Sequence, residues 1–258
     1  MKIIQVSDIH FGGENQAATE AALARFHQEK PDLMVAAGDL TRDGVVAEFD
    51  AARAWLDRAP TPLFTTPGNH DTPYVGPGEL LERFIAPWRR YGPADGGVWR
   101  APGVSVFGVN TARRAQLRWN WSKGAISGSQ IRRLEGQLAS APGDARIVVC
   151  HHPLMELTGE PMTSEVHGGT RAANSLTMAG ADLVLSGHIH TPFVSPYPFG
   201  DGKTRAVVSG TLSVRERGVP PSFNIIEIDP TQIRVTAMGF ERTDFVTLRS
   251  WAFDRRQA

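Results

Sequence analysis

Five short polar clusters interrupt this sequence, and each follows directly on a hydrophobic run. They are Asp8-Ile9-His10, Gly38-Asp39, Gly68-Asn69-His70-Asp71, His151-His152-Pro153 and Gly187-His188-Ile189-His190. The runs before them, at 2–7, 33–37, 63–66, 146–150 and 183–186, are rich in β-branched residues and bounded by Gly, Pro or Asp. With a sixth run at 104–109, they read as strands buried on both faces. Helical spacing lies between them. Val45, Phe49, Ala52 and Leu56 recur at steps of three and four, as do Ile131, Leu134 and Leu138. The second set predicts a helix over 129–140 with Ser129 as its N-cap, and a third helix is expected over 17–30. Strands alternating with helices predict an α/β fold, with two packed sheets flanked by helices. Three later runs, 205–209, 223–228 and 232–238, are separated by short connections and predict an antiparallel meander closing the second sheet. The chain divides by this reading into a domain over 1–240 and a C-terminal extension over 241–258. In that extension Phe245, Leu248, Trp251 and Phe253 could pack on their own domain or on a second copy in a homo-oligomer.

In open α/β sheets the carboxyl ends of strands gather at one edge, so clusters placed there converge. Asp-x-His and His-x-His put alternate residues on one side of an extended backbone. Asp8 with His10, and His188 with His190, can each present two donors to one pocket. Asp39 can bridge two cations, Asn69 can supply an amide oxygen, and His151 an imidazole. The set holds oxygen and nitrogen donors only, which suits Mn, Fe, Co or Zn rather than a thiolate-selected ion. Glycines 38, 68 and 187 remove bulk where the chain must turn beside a site. Taken singly, each cluster has a plainer explanation: a helix cap, a turn, or the end of any strand. All five in this order, each at a strand end, make that explanation hard to sustain.

Composition adds exclusions. The 258 residues carry 27 basic and 27 acidic side chains, so no global positive field exists to grip a nucleic-acid polymer. One cysteine, Cys150, rules out intramolecular disulfides and cysteine-rich zinc sites, and fits a reducing compartment. No run reaches the ~20 apolar residues of a membrane helix, and none near the N-terminus has signal-peptide length. A cytoplasmic protein without membrane partners is expected.

The five clusters together resemble the calcineurin-like metallophosphoesterase superfamily, whose pattern is Asp-x-His, Gly-Asp, Gly-Asn-His-Asp/Glu, His and Gly-His-x-His. The resemblance spans residues 3 to about 228. It implies a four-layer α/β/β/α sandwich with a centre of two divalent or mixed-valence metal ions (Mn, Fe, Zn or Co). Carried over by position, Asp8, His10 and His190 would hold one metal and Asn69, His151 and His188 the second, with Asp39 bridging. His152 should face away if the strand runs through it, and Cys150 should sit in the core. The resemblance implies a hydroxide shared between the metals as the in-line nucleophile at phosphorus. His70 would act as general acid or charge stabiliser, oriented by Asp71.

Sibling patterns narrow the expectation. Arg42 stands where purple acid phosphatases have tyrosine, and 38–44 and 67–71 match neither element of the protein Ser/Thr phosphatases. The pattern is most similar to bacterial class III cyclic-nucleotide phosphodiesterases and glycerophosphodiesterase-like relatives. A small phosphoester substrate is expected, with 3′,5′-cyclic nucleotides favoured. The alternative is a broad-specificity phosphoesterase acting on monoesters, glycerophosphodiesters or phosphonate esters. A non-catalytic scaffold of the same fold would show gaps among the seven ligand positions, and none exists here. The loops at 112–126, with Arg113, Arg114, Arg118, Lys123, Trp119 and Trp121, and at 154–169 are where substrate selection is expected. Two divalent ions would bring about +4, which Asp8, Asp39 and a shared hydroxide reduce to about +1. Attraction for phosphate would then be local rather than global.

Overall fold

The computed structural model describes residues 1–72, 97–113, 122–157, 159 and 166–256. Two six-stranded mixed sheets stack face to face. The first runs in the order 244–254, 232–241, 222–228, 2–6, 33–37, 63–66 and the second in the order 98–101, 104–108, 145–149, 183–190, 205–210, 193–196. In the first sheet β1 (Lys2–Val6), β2 (Leu33–Ala37) and β3 (Leu63–Thr66) are parallel. In the second, β5 (Val104–Gly108), β6 (Ala145–Val149), β7 (Leu183–His190) and β9 (Arg205–Gly210) are parallel, with β4 (Val98–Ala101) and β8 (Phe193–Pro196) as antiparallel edges. Two mixed sheets with flanking helices make the α/β architecture expected from the sequence.

Side-chain alternation along the strands makes three apolar layers. Ile3, Val35 and Ala37 face Ile147, Val149 and Leu185 between the sheets. Ile4, Val6, Met34 and Ala36 face outward onto α1 (Gln16–Glu29) and α2 (Val46–Leu56). Val148, Cys150 and Val184 face outward onto α3 (Gly128–Ala139) and α4 (Gly169–Met178). Strands covered on both sides must be apolar on both faces, which is why they read as continuous hydrophobic runs. Cys150 lies in this outer core, and burial pushes its thiol up to about 12.

Local chemistry sets the helix ends. Asn15 caps α1 by accepting from Ala18 N, and Lys30 ends it in a left-handed conformation. The cap of α3 is Ser127 rather than the expected Ser129, because Gln130 completes a capping box with Ser127. Such a box is worth about 1 kcal/mol.

One topological expectation needs correction. β9 and β10 (Ser222–Ile228) do not form one meander: β9 lies parallel to β7 in the second sheet, while β10 pairs with β1 in the first. The meander is β10, β11 (Gln232–Glu241) and β12 (Asp244–Asp254), on the first sheet. β1 needs a second partner for its backbone groups, and β10 supplies it across more than two hundred residues of chain. Strand β12, which lies within residues 241–258, forms the edge of the first sheet. Among the described residues, no helix is long and apolar enough to cross a membrane.

The sheets are held in register by buried amides. Gln5 Nε2 donates to Ser186 O at 2.8 Å, and Asn224 Nδ2 donates to Val208 O at 3.0 Å and to Gln5 Oε1 at 3.1 Å. These bonds set the carboxyl end of β1 against that of β7 and tie β10 to β9.

Candidate metal centre

All five polar clusters meet at that edge, though not through the extended alternation expected. β1 ends at Val6, and Asp8 and His10 both adopt left-handed conformations (φ 53° for each). Asp39 (52°), His188 (70°) and His190 (65°) do the same. A left-handed non-glycine residue costs about 1–2 kcal/mol. Five at one site persist because neighbouring backbone holds them, and such strain gathers at functional sites. Asp8 N donates to Gly38 O at 3.0 Å and His10 N to Asp39 O at 3.1 Å, locking the two loops together. In β7 the ladder shifts register between Ser186 and His190, which turns both histidines inward. Gly187 sits against Asp8: a Cβ there would collide with Ser7 Oγ and Asp8 Oδ2.

Backbone carbonyls orient the imidazoles. Nδ1 of His10 faces Thr41 O (3.2 Å), that of His151 faces Ala37 O (2.8 Å), and that of His190 faces Arg215 O (2.8 Å). A ring nitrogen facing a carbonyl must donate, so in the neutral ring Nε2 carries the lone pair. Those Nε2 atoms converge on other acceptors. His10 and His190 bring theirs to 3.4 Å, His190 Nε2 lies 3.1 Å from Asp8 Oδ1, and His151 Nε2 lies 3.2 Å from Asp39 Oδ2. Asp8 Oδ1, Asn69 Oδ1 and His151 Nε2 are buried without a hydrogen-bond partner. Acceptors crowded round a common space call for a cation between them. Candidate ligand atoms of Asp8, His10 and His190 lie within 4.8 Å of one another, as do those of Asp8, Asp39 and His151, and of His10, Asp39 and His70. The rings of His151 and His188 are 5.2 Å apart. The donor set is oxygen and nitrogen only, and it fits divalent first-row metals.

His152 departs from expectation. The strand ends at Val149, so alternation does not carry through, and its ring stacks edge-on against His151 at 4.7 Å. Both its nitrogens are engaged, Nδ1 with Thr111 Oγ1 (2.9 Å) and Nε2 with Ser122 O (2.9 Å). It braces the wall that carries Ser122 and Lys123.

Asp71 also differs from expectation. Its Oδ1 accepts from Thr41 N and Thr41 Oγ1, both at 2.9 Å, and its Oδ2 accepts from Gly68 N at 2.8 Å. His70 instead places Nδ1 against Arg42 O (2.6 Å) and Nε2 against Arg215 Nη1 (3.1 Å). Asp71 is buried and holds the two loops in place, whereas the imidazole is aimed by Arg42 and Arg215. Asp71→Ala is therefore expected to lower stability, by about 1–3 kcal/mol for each buried donor left without an acceptor. Chemical denaturation measures this, and an unchanged midpoint would refute the bracing role.

Burial and charge act in opposite directions on the histidines. Burial dominates at His10, pushed down to about 4, and at His188, pushed down to about 3. At His151 burial also pushes down, but Asp39 and Asp8 outweigh it and raise the ring to about 9. Burial disfavours ionised Asp8 and Asp39, yet neighbouring histidines, His190 for Asp8 and His151 for Asp39, hold both carboxyls below the usual range. In chelator-treated protein the signs then oppose. Below pH 6.5 the unfolded chain takes up protons that folded His10 and His188 refuse, so stability falls towards pH 4. Above 6.5 the contribution of His151 is lost as pH rises through about 9. Thermal midpoints of metal-free protein should peak near pH 6.5. A midpoint that climbs on acidification below pH 6 contradicts this.

The centre opens into a cleft of about 380 Å³, whose lining includes Asn69, His70, His188, Lys123, Arg215 and Arg217. Of the basic loop expected as a rim, Lys123 lines this cleft and Arg113 is exposed, while Arg114, Arg118, Trp119 and Trp121 lie outside the described residues. Of the 154–169 loop, Leu154, Leu157 and Val166 pack into the outer core, and residues 158 and 160–165 lie outside the described residues. Arg215 and Arg217 were not legible as site residues. They follow β9 by a few positions, in a stretch without a motif.

The family model of calcineurin-like phosphoesterases matches residues 1–192. The chain is 31% identical over 210 residues to a probable cyclic nucleotide phosphodiesterase of Synechococcus sp. (strain WH7803), covering 73% of this chain and 74% of the relative. It is 25% identical over 206 residues to a probable glycerophosphodiester phosphodiesterase of Arcobacter nitrofigilis, covering 74% and 72%. Among solved structures, a dimetal phosphatase from Danio rerio superposes with a TM-score of 0.67 at 12% identity, over 96% of this chain and 98% of that one.

Proposed function

The chain belongs to the calcineurin-like phosphoesterase family, and we propose that it is a metal-dependent phosphodiesterase of small phosphodiesters, with 3′,5′-cyclic nucleotides favoured. The observation that carries this reading is the ring of imidazole Nε2 atoms and unpartnered carboxylate and amide oxygens round one space. Asp8, His10 and His190 would hold one metal, Asn69, His151 and His188 a second, and Asp39 would serve both. Such ions, Mn, Fe, Zn or Co by the donor set, would supply Lewis acidity to activate water and neutralise phosphoryl charge.

The remaining roles fall to the chain itself. Ser7 Oγ and His188 N donate to Asp8 Oδ2 at 2.5 and 2.8 Å, leaving Oδ1 directed at the centre. His70 N donates to Asp39 Oδ1 at 2.8 Å and keeps that carboxylate in place. The His70 ring, 4.8 Å from that of His10, turns Nε2 to the cleft, where, once the ring is doubly protonated, it would stabilise phosphoryl charge or protonate the leaving oxygen. A balanced net charge supports a small substrate rather than a nucleic-acid polymer, and the unpaired Cys150 supports a cytoplasmic site.

The test is a substrate panel in Mn²⁺: cyclic nucleotides, bis(p-nitrophenyl) phosphate, p-nitrophenyl phosphate and glycerophosphodiesters. Diester turnover with the highest kcat/KM on cyclic nucleotides is expected. A preference for glycerophosphodiesters would favour a second reading, supported by the Arcobacter nitrofigilis relative. Turnover of monoesters alone would point to a broad-specificity phosphatase. A protein that takes up no metal and turns over nothing would be a scaffold, and the enzymatic reading would fall.

A further inference from the structure

Arg215 occupies a built position. It lies between β9 and β10, on a segment bonded to the centre. Thr211 Oγ1 donates to Asp8 O at 2.6 Å and lies 2.7 Å from Ser213 Oγ, which accepts from Arg215 N at 3.2 Å. Val214 N donates to Gly13 O at 3.1 Å. The Arg215 carbonyl accepts from His190 Nδ1, so its backbone already supports a candidate metal ligand.

Its side chain is exposed, yet it turns to the cleft. Nη1 donates to His70 Nε2 at 3.1 Å, the acceptor left when Nδ1 donates to Arg42 O. That places the guanidinium one ring away from the His10, Asp39 and His70 group. Among the described residues, no carboxylate lies within ion-pair distance of Arg215, whereas Arg25, Arg53, Arg58 and Arg256 each have one. A guanidinium has five donors in a rigid fork matched to phosphoryl oxygens, and only one is used here. A fixed cation in an open cleft, without an acidic partner and aimed at the reacting edge, is suited to an anion that arrives from solvent.

We propose that Arg215 is a substrate-contacting residue that donates to a phosphoryl oxygen of the bound ester, its resting contact with His70 Nε2 placing the guanidinium at the reacting edge. This rests on the phosphoesterase reading of the same site. It adds a recognition element supplied by protein charge rather than by metal. A fork also makes two parallel bonds to two oxygens available, a planar geometry that a lysine ammonium lacks.

The experiment uses Arg215→Ala and Arg215→Lys in the full Mn²⁺-loaded chain, with inorganic phosphate as the probe. Calorimetric titration of phosphate, kcat/KM on bis(p-nitrophenyl) phosphate, bound metal and thermal midpoint are read together. A lost charge-assisted hydrogen bond should weaken phosphate binding and lower kcat/KM by roughly 10- to 100-fold in the alanine variant. Metal content and midpoint should stay at wild-type values, and lysine should restore only part of the loss. Wild-type phosphate affinity in the alanine variant overturns the proposal, as does a wild-type protein that binds no phosphate. A loss of metal in parallel with the loss of phosphate overturns it too, since the residue would then act only through His190. If wild-type protein binds phosphate but turns over no ester, the phosphodiesterase reading fails, and Arg215 is still decided by the phosphate titration.

Discussion

Asp39→Ala is expected to lose bound metal and turnover together. Asp39 is 1% exposed, and its carboxylate sits where both halves of the centre meet. Oδ1 accepts from His70 N at 2.8 Å, and Oδ2 lies 3.2 Å from His151 Nε2. Its ligand atoms group with those of His10 and His70 on one side and of Asp8 and His151 on the other. Removing it takes away one of two buried anions that offset the charge of any cations held there. It also removes the largest electrostatic influence that raises His151. Metal bound at such a site supplies several kcal/mol of transition-state stabilisation, so turnover should fall on the order of 10³-fold. Metal analysis on purified variant checks the first half, and two equivalents retained per chain would defeat the bridging assignment. Asp39→Asn keeps the shape and removes the charge, and it should lose metal as well.

His70→Ala should do the opposite: keep its metal and lose its rate. The bond from His70 to Asp39 comes from the backbone N–H, which alanine retains. The ring is only half-buried, so its loss leaves little packing defect. What disappears is a positioned imidazole beside the reacting group, worth on the order of 10²–10⁴ in rate. Comparing a p-nitrophenyl diester with an alkyl diester separates the two roles. A general acid matters most for the poor alkoxide leaving group, whereas a charge stabiliser affects both alike. Wild-type turnover in this variant would remove His70 from the mechanism.

Much of the fold was legible because buried parallel strands are hydrophobic on both faces and end in turn residues. β2 and β3 run over the expected residues, and the ends of β1, β5 and β6 differ by one. The edge strands β4 and β8 escaped notice, being four residues each and half-exposed, with little pattern to detect. Sheet membership of β9 and β10 was illegible for another reason. Pairing partners of β10 lie at the far end of the chain, and strand composition does not encode which neighbour satisfies a backbone.

The site divides along the same line. Residue types and their order at strand ends are properties of the chain, and they sufficed to bring Asp8, His10, Asp39, Asn69, His70, His151, His188 and His190 to one edge. How each side chain reaches that edge is not. Left-handed backbone at five positions depends on carbonyls and amides from distant loops, such as Gly38 O for Asp8 N. The work of Asp71 and His152 depends on which donors and acceptors surround them after folding, namely Thr41 and Gly68 for the first and Thr111 and Ser122 for the second. Arg215 belongs wholly to the tertiary level, since nothing in its own stretch marks it and only packing brings its guanidinium to His70. The sequence by itself determined which donors are available and where along the chain they fall. The tertiary structure decided their orientation and partners, because hydrogen bonds and strain across long sequence separations exist only once the two sheets have closed on each other.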